Sequence, residues 1–225
     1  MLDSAMAGSL NIERARFNMV EQQVRPWEVL DPRVLDVLGE VKREDFVPAQ
    51  HRKLAFADLS IPLDHGQFMM KPVVEGRLLQ ALELTGDEDV LEIGTGSGFI
   101  AACLARLARQ VVSIELHADL AERARSRIGA SGIRNCQVLA QDAFGYQPSQ
   151  SFDAIAVTGA VAAVPEAFTR WLKPGGRMFI VRGLSPVMEA LLLTRQGPDL
   201  IDTRSLFETD LPYLKGAEPA SRFEF

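Results

Sequence analysis

Apolar and polar positions follow two different patterns along the chain, and one pattern replaces the other near residue 85. Before it, apolar residues recur at the spacing that places them on one face of a helix, loosely over 11–24 and clearly over 34–41. Asp31 and Pro32, directly before the second stripe, favour the N-cap and the first turn of a helix. The pattern predicts an N-terminal helical extension.

The rest of this first part is less regular. The segment 46–72 is rich in Pro, His and Gly and is predicted to be an irregular connection. A third helix is predicted from Pro72 to Leu84. Residues 1–10 are small and unpatterned, which is typical of a frayed tail.

After residue 85, short apolar runs alternate with helical patterns. Helices are predicted through 100–107, over Ala118–Ile128 and from Pro165. This alternation predicts right-handed crossovers and a parallel sheet. The runs that predict strands are Val90–Ile93, Val111–Glu115, Gln137–Ala140, Ala154–Thr158 and Arg177–Arg182.

The end of the chain has another pattern. Val187–Arg195 and Leu200–Phe207 flank the turn-forming residues 196–199, which indicates an antiparallel hairpin, although Leu191–Leu193 would equally suit a helix. The predicted fold class is α/β: a doubly wound, mostly parallel sheet with an N-terminal helical extension and a C-terminal antiparallel hairpin. The 225 residues are predicted to form one domain, with N-terminal helices and an acceptor-side segment (1–85) and an α/β core (86–225).

Composition and charge narrow the classes of function. A net charge of −6, without a basic stripe, argues against a nucleic-acid partner. No apolar run approaches the roughly 18 residues of a membrane span, and the N-terminus lacks the pattern of a secretory signal. No membrane partner and a cytoplasmic location are therefore expected. Cys103 and Cys136 match no metal-ligand spacing, so we expect buried reduced thiols and no metal site.

The most informative stretch follows the first predicted strand of the core and contains three closely spaced glycines. At the carboxyl end of such a strand, glycines let a ligand approach the backbone, and the next helix presents free N–H groups. A dinucleotide fingerprint requires a third glycine where this chain has Phe99, and no Gly-Lys-Ser/Thr follows to make a P-loop. The stretch reads Glu92-Ile93-Gly94-Thr95-Gly96-Ser97-Gly98.

The Gly-x-Gly-x-Gly spacing led by Glu92 resembles the first motif of class I methyltransferases, and Phe152–Ile155 and Leu172–Arg177 resemble later motifs of that family. The resemblance implies a Rossmann-like fold and S-adenosyl-L-methionine as cofactor. It implies that Glu115 meets the ribose hydroxyls and that Asp142 meets the adenine amino group. The implied cofactor-binding residues are Glu92, Gly94, Thr95, Gly96, Ser97, Gly98, Glu115, Leu116, Asp142 and Ala143.

Most of the chain also resembles the protein-L-isoaspartate O-methyltransferase family. The stretches that carry this resemblance are Val41–Val47, Ala55–Asp58, Gly66–Pro72 and Ile155–Ala160. That family repairs proteins by methylating the α-carboxylate of isoaspartyl residues. The resemblance therefore implies a protein or peptide substrate that carries isoaspartyl residues.

The acceptor-side segment departs from the family pattern. Where the family usually reads Thr-Ile-Ser-Gln-Pro, with the serine hydroxyl on the substrate carboxylate, this chain has Phe68 and Met70 in place of the two hydroxyls. One hydrogen bond to a charged group is worth roughly 1.5–3 kcal/mol, so isoaspartyl catalysis is expected to weaken. The candidate catalytic residues are Met70, Lys71 as a nearby cation, and His65. A carboxylate acceptor is ionised at neutral pH and needs no general base.

Two other functions stay compatible with the sequence. The side chains of Phe68, Met69 and Met70 suit a methyltransferase that acts on a different, apolar small-molecule acceptor. A non-catalytic cofactor-binding module that works through protein contacts would also keep the loop and lose the acceptor hydroxyls. Cofactor turnover separates the first two functions from the third, and an isoaspartyl peptide compared with its aspartyl twin separates the first from the second.

Overall fold

The computed structural model describes residues 11–197 and 200–220. The predicted frayed tail at 1–10 and part of the predicted 196–199 turn lie outside the described residues. Helix α1 covers residues 11–18 and continues as a π-helical turn, Met19–Val24. The α-helices that follow are α2 (Pro32–Glu40), α3 (Arg43–Phe46), α4 (Pro72–Ala81), α5 (Phe99–Leu107), α6 (Ala118–Ala130) and α7 (Glu166–Arg170).

The strands are β1 (Ile61–Pro62), β2 (Phe68–Met69), β3 (Asp89–Ile93), β4 (Gln110–Glu115), β5 (Cys136–Ala140), β6 (Phe152–Val161), β7 (Leu172–Leu184), β8 (Val187–Arg195) and β9 (Ile201–Thr209). Seven of them form one sheet in the order β5-β4-β3-β6-β7-β8-β9. The pairs from β5 to β7 are parallel, and β7-β8 and β8-β9 are antiparallel. The doubly wound sheet and the C-terminal hairpin are confirmed, and Leu191–Leu193 belong to β8 rather than to a helix.

Successive residues of β3 point to opposite faces of the sheet, and each face packs against its own helices. Val90 belongs to the apolar cluster that contains Leu104 of α5 and Ala121 of α6. Leu91 belongs to a second cluster, with Phe168 of α7. Because side chains alternate along a strand, both faces of a central strand must be covered when the sheet is parallel. The helices on the two sides of the sheet meet this requirement.

The N-terminal extension confirms the prediction at α2 and differs from it in the connection that follows. The Asp31 carboxylate caps α2 by accepting the Arg33 N–H at 2.9 Å. The segment predicted to be irregular contains the antiparallel pair β1–β2, closed by the Leu63 N–H donating to the Gln67 carbonyl at 2.7 Å. Strands of two residues leave no alternating pattern in a sequence, so the prediction missed them.

The central strands β6 and β7 are longer than predicted. The Phe152 N–H donates to the Trp171 carbonyl at 2.8 Å, and parallel pairing then begins at Phe152 and Leu172. The glycines at the start of β7 obscure this pairing in the sequence because glycine disfavours strands. Among the described residues, no helix has the length and apolar character needed to cross a membrane.

Candidate active site

The strand order of the sheet reverses between β3 and β6. From β3 the chain winds through β4 to β5 and then returns to β6 on the other side of β3. Such a switch point opens a crevice at the carboxyl ends of the strands, where α/β folds bind ligands. A cleft with about 740 Å³ of empty space lies there, and we call it the large cleft. Its main borders are Gly94, Gly96, Glu115–His117, Gln141–Phe144, Thr158–Gly159 and Pro212–Lys215.

The loop between β3 and α5 depends on its glycines. Gly94, Gly96 and Gly98 have φ angles of 98°, 52° and 89°, in the region that side chains disfavour. A Cβ on Gly94 would lie 2.5 Å from the Thr158 hydroxyl oxygen, and one on Gly98 would lie 3.0 Å from the Ala124 Cβ in α6. Gly94 and Gly96 border the large cleft. Gly98 has a different role, because the absence of its side chain allows α5 to pack closely on α6.

Glu115, predicted for the ribose, holds the loop from the end of β4. The Gly96 N–H donates to its Oε2 at 2.8 Å, and the His117 N–H donates to its Oε1 at 3.0 Å. The side chain is buried and lines the large cleft together with Leu116, which is exposed. Two N–H donors leave a carboxylate with free acceptor capacity, so Glu115 can also bind hydroxyl groups of a ligand.

Glu92, the first residue of the predicted motif, is fully buried behind the loop. The Ser113 hydroxyl donates to its Oε2 and lies 2.5 Å from the Thr95 hydroxyl. Its Oε1 has no hydrogen-bond partner among the described residues. Burial raises the pKa of Glu92 to about 8. The Ser113 hydrogen bond and the backbone N–H of Ala101 oppose this rise, and the charge of Glu115 adds to it. The site therefore contains a carboxyl group with an unused oxygen.

Asp142, predicted for the adenine, begins the turn after β5. Its carboxylate accepts the Phe144 N–H at 2.9 Å and caps the 3₁₀ turn Ala143–Gly145. Asp142 is exposed and Ala143 is buried, and both line the large cleft. The structure thus brings the predicted adenine and ribose residues to the same cleft from the ends of neighbouring strands.

A second, smaller pocket with about 300 Å³ of empty space adjoins the loop. Phe68, Met69 and Met70 form one side of it, which we call the apolar wall. Glu75, Glu92, Thr95, Ser97, Phe99 and Ile100 also line it. Met69 and Met70 are buried, while Phe68 is 45% exposed. The predicted residue Met70 therefore lies beside the predicted cofactor loop.

The other two predicted catalytic residues, Lys71 and His65, line neither of these pockets. Lys71 is exposed and precedes α4. His65 lies in a surface turn, with its Nε2 2.8 Å from Asp119 Oδ1 and its ring stacked at 4.1 Å on that of His117. His117 itself lines the large cleft. Lys71 directly follows Met70 of the apolar wall, but neither predicted residue lines a pocket.

Residues 15–205 match the family protein-L-isoaspartate(D-aspartate) O-methyltransferase (PCMT). The chain belongs to this family. A protein-L-isoaspartate O-methyltransferase from Methylorubrum populi is 38% identical over 209 residues, covering 92% of this chain and 99% of that protein. Protein-L-isoaspartate O-methyltransferase 1 from Anaeromyxobacter sp. is 42% identical over 176 residues, covering 77% of this chain and 83% of the relative.

The fold has a close counterpart among solved structures. A Plasmodium falciparum protein assigned as an isoaspartate O-methyltransferase, solved with S-adenosyl-L-homocysteine, has a TM-score of 0.77 and 17% identity, covering 88% of this chain and 97% of that chain. At this identity the likeness concerns the fold alone. It supports the α/β architecture of the PCMT family for this chain.

One border of the large cleft lies outside the residues matched by the PCMT family. Pro212–Lys215 run along the end of β6, where Ala160 donates its N–H to the Pro212 carbonyl and accepts the Leu214 N–H, both at 2.8 Å. This segment follows the hairpin without a motif or a regular pattern, so sequence reasoning does not place it at the site. Only the three-dimensional packing identifies it.

Thr158 was also missed as a site residue, although its position at the carboxyl end of a predicted strand could have indicated it. Its hydroxyl donates to the Ile93 carbonyl at 3.0 Å and to the Gly94 carbonyl at 2.5 Å, which ties the ends of β3 and β6 together. Thr158 ends the predicted strand 154–158, at the sheet edge where α/β folds bind ligands. It lines both pockets.

Proposed function

We propose that the chain transfers the methyl group of S-adenosyl-L-methionine to the carboxylate of isoaspartyl residues in proteins and peptides. Membership of the PCMT family supports this activity. The observation that carries it is that the glycine loop and the apolar wall line two adjoining pockets, which share Phe68, Gly94, Gly96 and Thr158. A donor held by the loop would meet an acceptor held beside the wall.

The residues of the large cleft fit the adenosine part of this cofactor. Glu115 would accept hydrogen bonds from the ribose hydroxyls, and Asp142 would accept one from the adenine amino group. Leu116 and Ala143 would contact the base, and Gly94 and Gly96 leave room for close approach to the backbone. When bound, the cofactor supplies a methyl group that a sulfonium centre has already activated.

Glu92 fits the amino-acid end of the cofactor. Its Oε1 is buried without a partner, and a buried polar atom in that state normally has a ligand or water to explain it. Glu92 also lines the smaller pocket, next to Thr95 and Ser97 of the loop. We propose that this oxygen accepts a hydrogen bond from the α-amino group of the cofactor.

The protein's own part in the reaction is to orient the acceptor and exclude water. A carboxylate with a pKa near 4 is already ionised at neutral pH, so no side chain needs to remove a proton. Phe68 and Met70 would shield the acceptor from water, which favours in-line transfer through orientation and desolvation. His65 and Lys71 line neither pocket, and we assign neither a proton-transfer role.

A methyltransferase that acts on an apolar small molecule is the second candidate. The apolar wall favours it, because Phe68 and Met70 stand where the family usually places hydroxyls. Burying a side chain or ligand group of aliphatic size against such a wall is worth about 1.5–3 kcal/mol. The same wall offers no side-chain hydrogen bond to a carboxylate.

The deciding experiment compares two peptides that differ only in an isoaspartyl or aspartyl linkage. We expect formation of S-adenosyl-L-homocysteine with the isoaspartyl peptide and about tenfold or more slower formation with its twin. Heat-inactivated protein and a reaction without peptide measure the background.

The outcomes separate the candidate functions. Equal and negligible turnover of both peptides, with measurable turnover of an apolar acceptor, would favour the second candidate. Cofactor binding without turnover on any acceptor would favour the non-catalytic module.

We also propose that residues 1–225 act as one domain in the cytoplasm. The N-terminal part contributes Phe68 to the cleft that the α/β core forms, so neither part has a complete site alone. Cys103 and Cys136 are both free, which suits a reducing compartment. Cys103 is buried as expected, whereas Cys136 is only half-buried.

A further inference from the structure

The apolar wall is anchored from behind by a buried ion pair. Arg43 of α3 is fully buried and donates to the Glu75 carboxylate of α4 through Nε at 2.9 Å and Nη2 at 3.1 Å. The same guanidinium donates to the Met70 carbonyl at 2.8 Å and to the Ala55 carbonyl at 2.5 Å. Met70 is thus held through its backbone, since its side chain can make no strong hydrogen bond.

Arg43 does not itself line the smaller pocket, but it contacts three residues that do. These are Met70, Glu75 and Phe99, whose ring centroid lies 5.5 Å from the Arg43 Cζ. The three belong to the apolar wall, to α4 and to the start of α5, directly after the glycine loop. One planar group therefore sets the distance between the two sides of the pocket.

Stability alone does not require this pair. Taking two charges out of water is costly, and replacing a buried ion pair by apolar side chains of similar size is often neutral or stabilising. A guanidinium differs from apolar side chains in its fixed fork of donors, which can hold several acceptors in one geometry. The contacts of Arg43 use that property, with a carboxylate and two carbonyls from separate segments.

We infer that Arg43 and Glu75 form a positioning pair that fixes the Met70 backbone, and hence the apolar wall, against the glycine loop. The inference rests on the methyl-transfer site proposed above. It predicts that loss of the pair disturbs the smaller pocket, which would hold the amino-acid end of the cofactor, and spares the large cleft, which would hold adenosine.

The chain offers a matched control in a second buried ion pair. Arg16 of α1 donates through Nε to Glu44 Oε2 of α3 at 3.3 Å, and both residues are buried. Neither lines the smaller pocket or the large cleft. Removing this pair changes the same number of buried charges in the same helical region without touching the apolar wall.

The test compares two ligands that differ in the amino-acid end. S-adenosyl-L-homocysteine would extend from the large cleft to Glu92 in the smaller pocket, whereas methylthioadenosine would occupy only the large cleft. The measured quantity is the affinity for S-adenosyl-L-homocysteine divided by the affinity for methylthioadenosine. In Arg43→Lys we expect this ratio to fall about fivefold or more, while the affinity for methylthioadenosine changes little. The reason is that lysine cannot hold both carbonyls and the carboxylate. We expect kcat on an isoaspartyl peptide to fall about tenfold, more than KM changes.

A second variant keeps the test decisive if Arg43→Lys does not fold. Arg43→Met with Glu75→Leu removes both charges together and should give the same loss of the ratio. Arg16→Met with Glu44→Leu should keep the ratio at the wild-type value.

A folded Arg43 variant whose ratio stays within about twofold of wild type would overturn the inference. Failure of both Arg43 variants to fold, beside a folded control, would assign the pair to folding and overturn it as well. The ratio needs no acceptor, so absence of peptide methylation would count against the proposed function alone.

Discussion

The two sides of the cleft are built in opposite ways. On the loop side, directional hydrogen bonds hold the backbone: the Gly96 N–H donates to Glu115 at 2.8 Å, and the Thr158 hydroxyl donates to the Ile93 carbonyl at 3.0 Å. On the other side, the apolar wall presents Phe68 and two buried methionines, and its fixed point is a backbone carbonyl. Under the proposed function, the cofactor would be recognised by polar geometry, whereas the acceptor would be recognised by shape and burial.

The contrast also separates what each side tolerates. Glycines at positive φ accept almost no side chain without strain, which costs about 1–3 kcal/mol for each residue held there. An apolar wall accepts swaps of similar volume at less than about 1.5 kcal/mol. Changes on the loop side are therefore expected to abolish binding, and changes on the wall to redirect specificity.

The largest expected effect tests the buried carboxyl group on the loop side. Burial raises the pKa of Glu92 from its ordinary value of 4.5 to about 8, so between these values the folded state binds a proton that the unfolded state releases. The free energy of unfolding should therefore fall as pH rises through this window. The free energy of unfolding should fall by at most about 1.4 kcal/mol per pH unit, and by up to about 4 kcal/mol between pH 5 and pH 8.

Glu92→Gln isolates this effect, because every other titrating group is kept. Denaturant unfolding at pH 5 and pH 8 without ligand should show a smaller fall in stability for the variant than for the wild type. The same pH dependence in both proteins would mean that Glu92 ionises normally in the folded chain.

Gly96→Val tests the backbone requirement of the loop. Gly96 has a φ of 52°, and a Cβ there would lie 3.3 Å from the Leu63 side chain. A β-branched residue disfavours this conformation and would crowd the ligand, so affinity for S-adenosyl-L-homocysteine should fall about a hundredfold or more. Gly86→Val is the control, since Gly86 has a φ of 115° with open space around it. Calorimetric binding at wild-type strength in a folded Gly96 variant would contradict the placement of the cofactor.

Glu115→Ala sharpens the comparison by removing charge from the loop side. We expect cofactor affinity to weaken by about 1.5–3 kcal/mol, the range for hydrogen bonds to a charged group. Part of this loss comes from freeing the Gly96 and His117 N–H groups that Glu115 now accepts. Glu115→Gln keeps one acceptor without the charge and should lose less. Titration calorimetry checks the order, and equal affinity of all three proteins would exclude Glu115 as a ligand of the cofactor.

The two sides also differ in how far the sequence could predict them. The sequence points to the loop and Glu115 because their chemistry is local: glycines and a carboxylate stand at the ends of strands that the apolar pattern reveals. Gly94, Gly96 and Glu115 line the large cleft. Gly98 is predicted to bind the cofactor, and it also has a packing role, since a Cβ there would lie 3.0 Å from the Ala124 Cβ. The binding roles of all these residues stay predictions. The division of the chain into an N-terminal part (1–85) and an α/β core (86–225) also stays a prediction.

The acceptor side could be predicted only in part. Met70 lines the smaller pocket, whereas His65 and Lys71, its near neighbours in sequence, line neither pocket. The hairpin β1–β2 precedes Met70 and Lys71 and contains His65 in its turn, and strands of two residues leave no pattern in the sequence. Arg43 acts through a carbonyl 27 residues away, and such a contact follows from the tertiary fold.

The smallest expected effect tests the wall itself. Phe68→Thr with Met70→Ser returns the two hydroxyls that the family usually has, and one good hydrogen bond to a carboxylate should raise kcat/KM on isoaspartyl peptides about tenfold. If the acceptor is apolar, the same change removes buried contacts and should lower activity on that acceptor by about 1 kcal/mol or more. Cofactor affinity and the thermal midpoint must be measured first, because Met70 is buried and packs within the core. Initial rates on isoaspartyl and aspartyl peptides then decide between the acceptors. A folded double variant with normal cofactor affinity and no gain on the isoaspartyl peptide would mean that the wall was shaped for a different acceptor.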